Sequence, residues 1–178
     1  MMAVVVARDF DDNEFPLAYL ITFRCYGTWL HGDDRGSMDP KHNVYGAVKI
    51  KPNRALQQSD IKQLKHPPQY LNAPKRRVVE DAVREVCDHR KYFLRAFNIR
   101  TNHVHSVVTV MRKPEPVLIS FQAYSTRALR EHKLVSPRVK PWSRHGSRVY
   151  LWKQRDVENA IEYVLFGQGD EPFRLDDD

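Results

Sequence analysis

Apolar residues along this chain recur in two periods, and the changes of period outline its elements. Leu17 to Phe23 (LAYLITF) is apolar and rich in β-formers, which predicts a buried first strand. Turn and breaker residues then dominate from Cys25 to Pro74, with at most a short helix near Asp60 to Lys65. Pro74 opens an amphipathic helix to about Tyr92, in which Val78, Val79, Ala82, Val83 and Val86 fall at three- and four-residue steps. Phe93 to Ile99 and His103 to Val110 read as two strands, and the short Arg100-Thr101-Asn102 link makes them an antiparallel hairpin. Pro114 and Pro116 end that hairpin and start a helix over about Val117 to His132. A basic loop, Pro137 to Ser147, leads to a short strand at Arg148 to Trp152. The last helix runs from Asp156, expected as its N-cap, to Phe166, with Gly167 and Gly169 stopping it.

Without its final helix this order is β-α-β-β-α-β, a ferredoxin-like α+β arrangement: an antiparallel sheet with helices on one face. The expectation is therefore one domain over residues 1–178, with a long loop insertion at about 25–74 and an added C-terminal helix. A loop of that length in a compact domain is usually functional. No internal repeat or low-complexity stretch interrupts the pattern.

Composition narrows the class. A chain of 178 residues, 42% hydrophobic and 29% charged, has the profile of a globular domain that needs no covalent staples. Cys25 and Cys87 are its only cysteines and form neither a disulfide framework nor a C-x-x-C motif, which suits a reducing compartment. The apolar Ala3–Ala7 stretch is too short for a secretory segment, and no run approaches the ~18 apolar residues of a membrane span. A cytoplasmic location without membrane attachment is expected.

The net charge is +7 and is unevenly placed. Acid gathers at the ends, in Asp9, Asp11, Asp12 and Glu14 and again in Asp176, Asp177 and Asp178. Base gathers between residues 127 and 155, where nine cations face Glu131 alone. Such a band attracts phosphates and gives salt-dependent binding to nucleic acid. Arg127, Arg130, Arg138, Lys140, Arg144, Arg148 and Lys153 are its candidate DNA contacts, and Trp142 among them is a candidate to stack on an unpaired base. Each is equally compatible with ordinary solvated surface.

The residues richest in chemistry are His103-Val104-His105. In a strand the two histidines share a face and Val104 takes the other. Their Cα atoms then lie roughly 6.6 Å apart, and two imidazoles at that spacing can share one metal at ~2.1 Å per bond. Other uses of H-x-H fit poorly. A histidine-triad hydrolase needs a third His at position 107, where Val stands; a jelly-roll site needs more strands and a further His; a zinc protease needs its pair four apart on a helix.

Asn102-His103-Val104-His105 resembles the NHVH signature of the REP-associated tyrosine transposases and the related single-tyrosine insertion-sequence transposases. Tyr26-Gly27-Thr28-Trp29-Leu30 with Asp33-Asp34-Arg35-Gly36-Ser37 is similar to a segment after the first strand in one branch of that group. Tyr150-Leu151-Trp152, Asp156-Val157-Glu158 and Ala160-Ile161-Glu162-Tyr163-Val164-Leu165 resemble its C-terminal strand and catalytic helix. The likeness spans about residues 17 to 169. It implies a ferredoxin-like fold and a metal-dependent single-strand DNA endonuclease and strand transferase acting on hairpin-forming elements. By the same resemblance Tyr163 is the nucleophile, giving a 5′-phosphotyrosine link and a free 3′-hydroxyl, and His103 and His105 bind Mg²⁺ or Mn²⁺. The family's third ligand lies about one turn past the tyrosine. Here that position is Gly167, which has no side chain to offer, so Gln168 is the candidate. Trp29, His31 and Arg35 are candidates to recognise a hairpin foot, and the family admits a homodimer that exchanges the terminal helix.

The division of labour is physically reasonable. A phenol with pKa ~10 is a weak nucleophile at neutral pH, a metal can offset charge developing on the phosphate, and a covalent phosphotyrosine conserves the bond for rejoining. Among eight tyrosines, Tyr124 is the rival nucleophile, on a helix read as packing; Tyr92 and Tyr150 read as structural aromatics. The resemblance, not the periodicity, favours Tyr163. Two other readings stay open: a non-catalytic nucleic-acid-binding module on the same fold, which Gly167 favours, and an unrelated metal hydrolase using the histidine pair.

Overall fold

A computed structural model of the chain describes residues 14–30 and 53–167. Within them the order is β1 (Ala18–Arg24), α1 (Arg54–Lys62), α2 (Ala73–Arg90), β2 (Phe93–Ile99), β3 (His103–Thr109), α3 (Pro114–Glu131), β4 (Ser147–Leu151) and α4 (Gln154–Phe166). The fold is α+β. The four strands form one antiparallel sheet in the order β2-β3-β1-β4.

Strand alternation divides the apolar residues between two layers. Tyr19, Ile21 and Phe23 of β1, with Val104 and Val108 of β3, face a core shared with Val79, Val83 and Val86 of α2 and with Val117, Phe121 and Leu129 of α3. Ala18, Val107 and Leu151 face the other way and pack beneath Val157, Ala160 and Val164 of α4. The paired helices thus cover one face and the terminal helix covers part of the other.

β2 would break this division but for a bulge. Leu94 pairs with Val108 and Ala96 pairs with Val107, so Arg95 is an extra residue in the ladder. Leu94 therefore joins the two-helix core, while Ala96 lies under α4.

The ends of the helices follow local chemistry. Asn72 caps α2 by accepting from Lys75 N, and Pro74 occupies its first turn. α1 begins at Arg54, capped by Asn53 through Leu56 N, and so starts earlier than the short helix expected near Asp60 to Lys65. α4 also starts early. Its N-cap is Lys153, which makes no side-chain cap bond, and Asp156 lies inside the first turn. Asp156 is thus no cap, although its charge there still complements the helix dipole. Among the described residues no helix is long and apolar enough to cross a membrane. Gln168, Gly169, His31, Arg35, Asp33 to Ser37, Ala3 to Ala7 and both acidic ends lie outside the described residues, apart from Glu14.

Candidate functional site

β1 and β3 build the floor of the site. Their register sets Thr22 opposite His105 and Arg24 opposite His103. All four residues have the parity of Val107, and so face α4 rather than the two-helix core. The imidazoles of His103 and His105 lie with centroids 4.6 Å apart at 76°. Tyr163, on the third turn of α4, sets its ring edge-on to His105 at 5.5 Å.

Each imidazole is fixed through Nδ1. His103 Nδ1 donates to Asn102 Oδ1 at 2.6 Å, and His105 Nδ1 shares a 2.6 Å hydrogen bond with Thr22 Oγ1. Holding a histidine through one nitrogen fixes the plane of its ring and turns the other nitrogen to a defined direction, and the amide oxygen at His103, which can only accept, also fixes that ring's tautomer. His105 is 7% exposed whereas Tyr163 is 46% exposed, so the buried ring is the anchored one and the phenol stands at the solvent edge. Thr22, Arg24, His105, Asp156, Asn159 and Tyr163 line one cleft between β1, β4 and α4.

Two contacts hold the cleft's walls in place. Asn98, opposite His105 in β2, donates from Nδ2 to the Val164 carbonyl of α4 at 2.8 Å. Gly146 lets the strand β4 start against β1: a Cβ there would lie 2.6 Å from the Thr22 carbonyl. At the end of α4, a Cβ on Gly167 would lie 2.9 Å from Tyr163 Cδ2, so the glycine at the expected ligand position makes room for the phenol ring.

The donor set fits a divalent cation in part. Two oriented imidazoles suit such an ion, and their spacing suits a shared one. Among the described residues no group of three or more His, Cys, Asp or Glu side chains lies together, so a further donor from those residues would be an amide or a hydroxyl.

The basic residues do not converge on this cleft as one band. Arg127 and Arg130 project from α3, which packs on the opposite face of the sheet. Arg127 is paired with Glu85 at 2.8 Å and with Glu131 at 3.7 Å, and its hydrogen bond to Glu85 raises its pKa further. Arg130 reaches the Val139 carbonyl. Arg148 stands opposite Ile21, on that same helical face, 3.7 Å from Glu115. Arg138, Lys140 and Arg144 are exposed on the loop before β4. That loop is tied to the end of β1 through Tyr26 N to Pro141 O and Ser143 N to Arg24 O, which brings it beside the histidine end of the sheet. Lys153 is exposed at the start of α4.

Trp142 is corrected by its surroundings. It is 7% exposed, packs edge-on against Phe23 at 4.9 Å, and donates from Nε1 to Thr126 Oγ1 and the Gln122 carbonyl. An indole so enclosed is a core residue and offers no face to a base. Tyr124 packs at the two-helix core beneath the Arg127 guanidinium, away from the histidines. Neither motif nor charge distinguishes Thr22, Arg24, Asn98 or Gly146 in the sequence. Arg24, with its guanidinium 3.6 Å over the Trp29 ring, was detectable only as the polar end of an otherwise apolar strand.

No protein-family model matches the chain, and no curated protein matches it. Among solved structures, that of a REP-associated tyrosine transposase bound to a REP hairpin aligns at 10% identity with a TM-score of 0.47, covering 84% of this chain. The chain spans 65% of that transposase.

Proposed function

We propose that this chain is a metal-dependent single-strand DNA endonuclease and strand transferase with Tyr163 as its nucleophile. One observation carries the reading: the phenol of a solvent-edge helix lies 5.5 Å, ring to ring, from His105, one of two anchored imidazoles. The NHVH motif and the tyrosine-bearing last helix support it from the sequence.

His103 and His105 would hold Mg²⁺ or Mn²⁺ through the nitrogens opposite their Nδ1 anchors, with Gln168 as the candidate third ligand. When bound, the ion supplies polarisation of the scissile phosphate and neutralises charge gained in the transition state. Asn102 and Thr22 keep both rings from turning, so little reorganisation accompanies reaction. Tyr163 Oη attacks phosphorus; the Oη–P bond forms as the bond from phosphorus to the 3′ oxygen breaks. The phenolic proton leaves Oη, and one proton is delivered to the departing 3′ oxygen to give a free hydroxyl. Attack by another 3′-hydroxyl reverses these steps and rejoins the strand. The exposed cations Arg138, Lys140 and Arg144, beside the histidine end, would hold the phosphate backbone, and Lys153 would do so at the start of α4.

The test is a denaturing gel of the protein incubated with labelled, hairpin-bearing single-stranded DNA and Mn²⁺. A covalent protein–DNA band is expected, absent in Tyr163→Phe and in His105→Ala. A band that survives in Tyr163→Phe removes Tyr163 from its role. A second reading, a non-catalytic DNA-binding module on the same fold, is favoured by Gly167 standing where the family places a ligand. Salt-sensitive binding with no covalent band under any metal would establish that reading instead.

A further inference from the structure

The edge strand β4 and the residue after it carry Arg148, Tyr150 and Trp152 at two-residue steps. Arg148 and Tyr150 pair with Ile21 and Tyr19, which places them on the two-helix side of the sheet. There the helical cover runs out. Tyr19 is 1% exposed, yet Tyr150 beside it is 44% exposed. The Tyr150 ring rests edge-on against Tyr19 at 5.0 Å and lies nearly parallel to Trp152, at 20° and 6.3 Å between centroids. An exposed phenol and a partly buried indole are therefore held in one orientation at the margin of the fold.

Cations flank the pair along the chain: Arg148 on the same face, exposed Arg144 before the strand, and exposed Lys153 and Arg155 after it, followed by the exposed Asp156. Glu115, the acid at Arg148, is already paired with it at 3.7 Å. Oriented aromatic faces beside a local excess of cations suit a ligand with both flat rings and phosphates. A duplex keeps its base faces inside the stack, so only an unpaired strand can use such a platform. Position supports the same occupant. Ser147, Val149 and Leu151, of the opposite parity in the same strand, line the cleft that holds His105 and Tyr163, and Tyr150 also borders it.

We propose that Tyr150 and Trp152 form a stacking platform for an unpaired base of single-stranded DNA, next to the phosphate presented to Tyr163. The location of that phosphate rests on the proposed nuclease reading; the stacking itself does not.

Binding of a fluorescein-labelled oligothymidylate is measured by anisotropy without divalent metal, for the full chain and for Tyr150→Leu, Trp152→Leu, Tyr150→Phe and Trp152→Phe. Each leucine variant should bind roughly tenfold more weakly, while each phenylalanine variant should stay within about twofold of the parent. The salt dependence should be unchanged, because no phosphate contact is lost. Duplex DNA of the same length should bind the parent and leucine variants alike. The proposal is overturned if folded leucine variants bind as the parent does, if the phenylalanine variants lose as much as the leucine ones, or if the parent binds no oligothymidylate. The two readings fail separately. A Tyr163-dependent covalent band with leucine variants that bind normally removes the platform alone; no band, with binding that still needs the two rings, keeps the platform and removes the nuclease.

Discussion

Asn98 and Val164 are joined by a 2.8 Å hydrogen bond from the side-chain amide of a residue on the edge strand β2 to a carbonyl in the last turn of α4. Val164 directly follows Tyr163, so the tether fixes the helix where the phenol leaves it. Asn98 Oδ1 is buried without a partner, which offsets part of the bond's contribution. Asn98→Ala should therefore lower global stability by only about 1 kcal/mol. Amide exchange in α4 should accelerate well beyond that in β1 and β3, which hydrogen–deuterium exchange reads directly. Equal protection of α4 in both proteins would show that the helix is held by its apolar face alone.

The hydrogen bond between Thr22 and His105 predicts a metal effect from a residue that holds no metal. Thr22→Val should weaken Mn²⁺ binding by roughly 10- to 100-fold, as loss of an orienting partner does elsewhere. Thr22→Ser should restore most of it, since the hydroxyl is retained. Titration calorimetry on the three proteins gives the comparison, and identical affinities would dismiss Thr22 as an orienting group.

Trp142 and Trp152 should respond oppositely to truncation. Trp142→Ala removes an enclosed, hydrogen-bonded indole from the two-helix core and should destabilise the fold by about 3–5 kcal/mol. Trp152→Leu at the sheet margin should cost less than about 1 kcal/mol. Urea unfolding distinguishes them; a mild effect at Trp142 would mean that its ring is not part of the core.

Alkaline pH should destabilise the fold. Burial pushes the Cys25 and Cys87 thiols from 9.0 up to about 12. Burial, then the neighbouring Tyr150 and Glu115, pushes the Tyr19 phenol from 10.0 up to about 12. All three are neutral when protonated, and folding favours that form. Their contribution is complete below pH 9 and is lost as pH rises from there toward 12. Thermal melts across that range should show a steady fall in Tm, reduced in a Cys25→Ala, Cys87→Ala protein compared with its own neutral-pH value. The same thiols should react slowly with disulfide reagents at neutral pH.

What the sequence makes legible here follows how local the cause is. The parity of His103 and His105, the β2–β3 hairpin and the helix opened by Pro74 depend on residues a few positions apart. Trp142 is different. Among Arg138, Lys140 and Arg144 it has the company of a surface residue, and what encloses it is distant in sequence: the bridge from Cys25, the packing of Phe23 and the hydrogen bonds to Gln122 and Thr126. Arg127 and Arg130 have the spacing of an exposed helix face, but spacing does not say on which side of the sheet that helix lies. Asn98 belongs to no motif; its role appears only when α4 is laid across β2. Asp156 has the chemistry of an N-cap, yet Gln154 and Arg155 are already helical before it.

The bulge at Arg95 gives β2 a single point of slack. Deleting Arg95 would leave Leu94 on Val108 and Ala96 on Val107, an unbroken ladder with every neighbour in its present layer. Deleting Ala96 or Phe97 would straighten the strand as well, but would draw a guanidinium into the place of Ala96 beneath α4. A chain shortened by one residue here should therefore fold or fail according to which residue is lost, and the tolerated loss is the charged one.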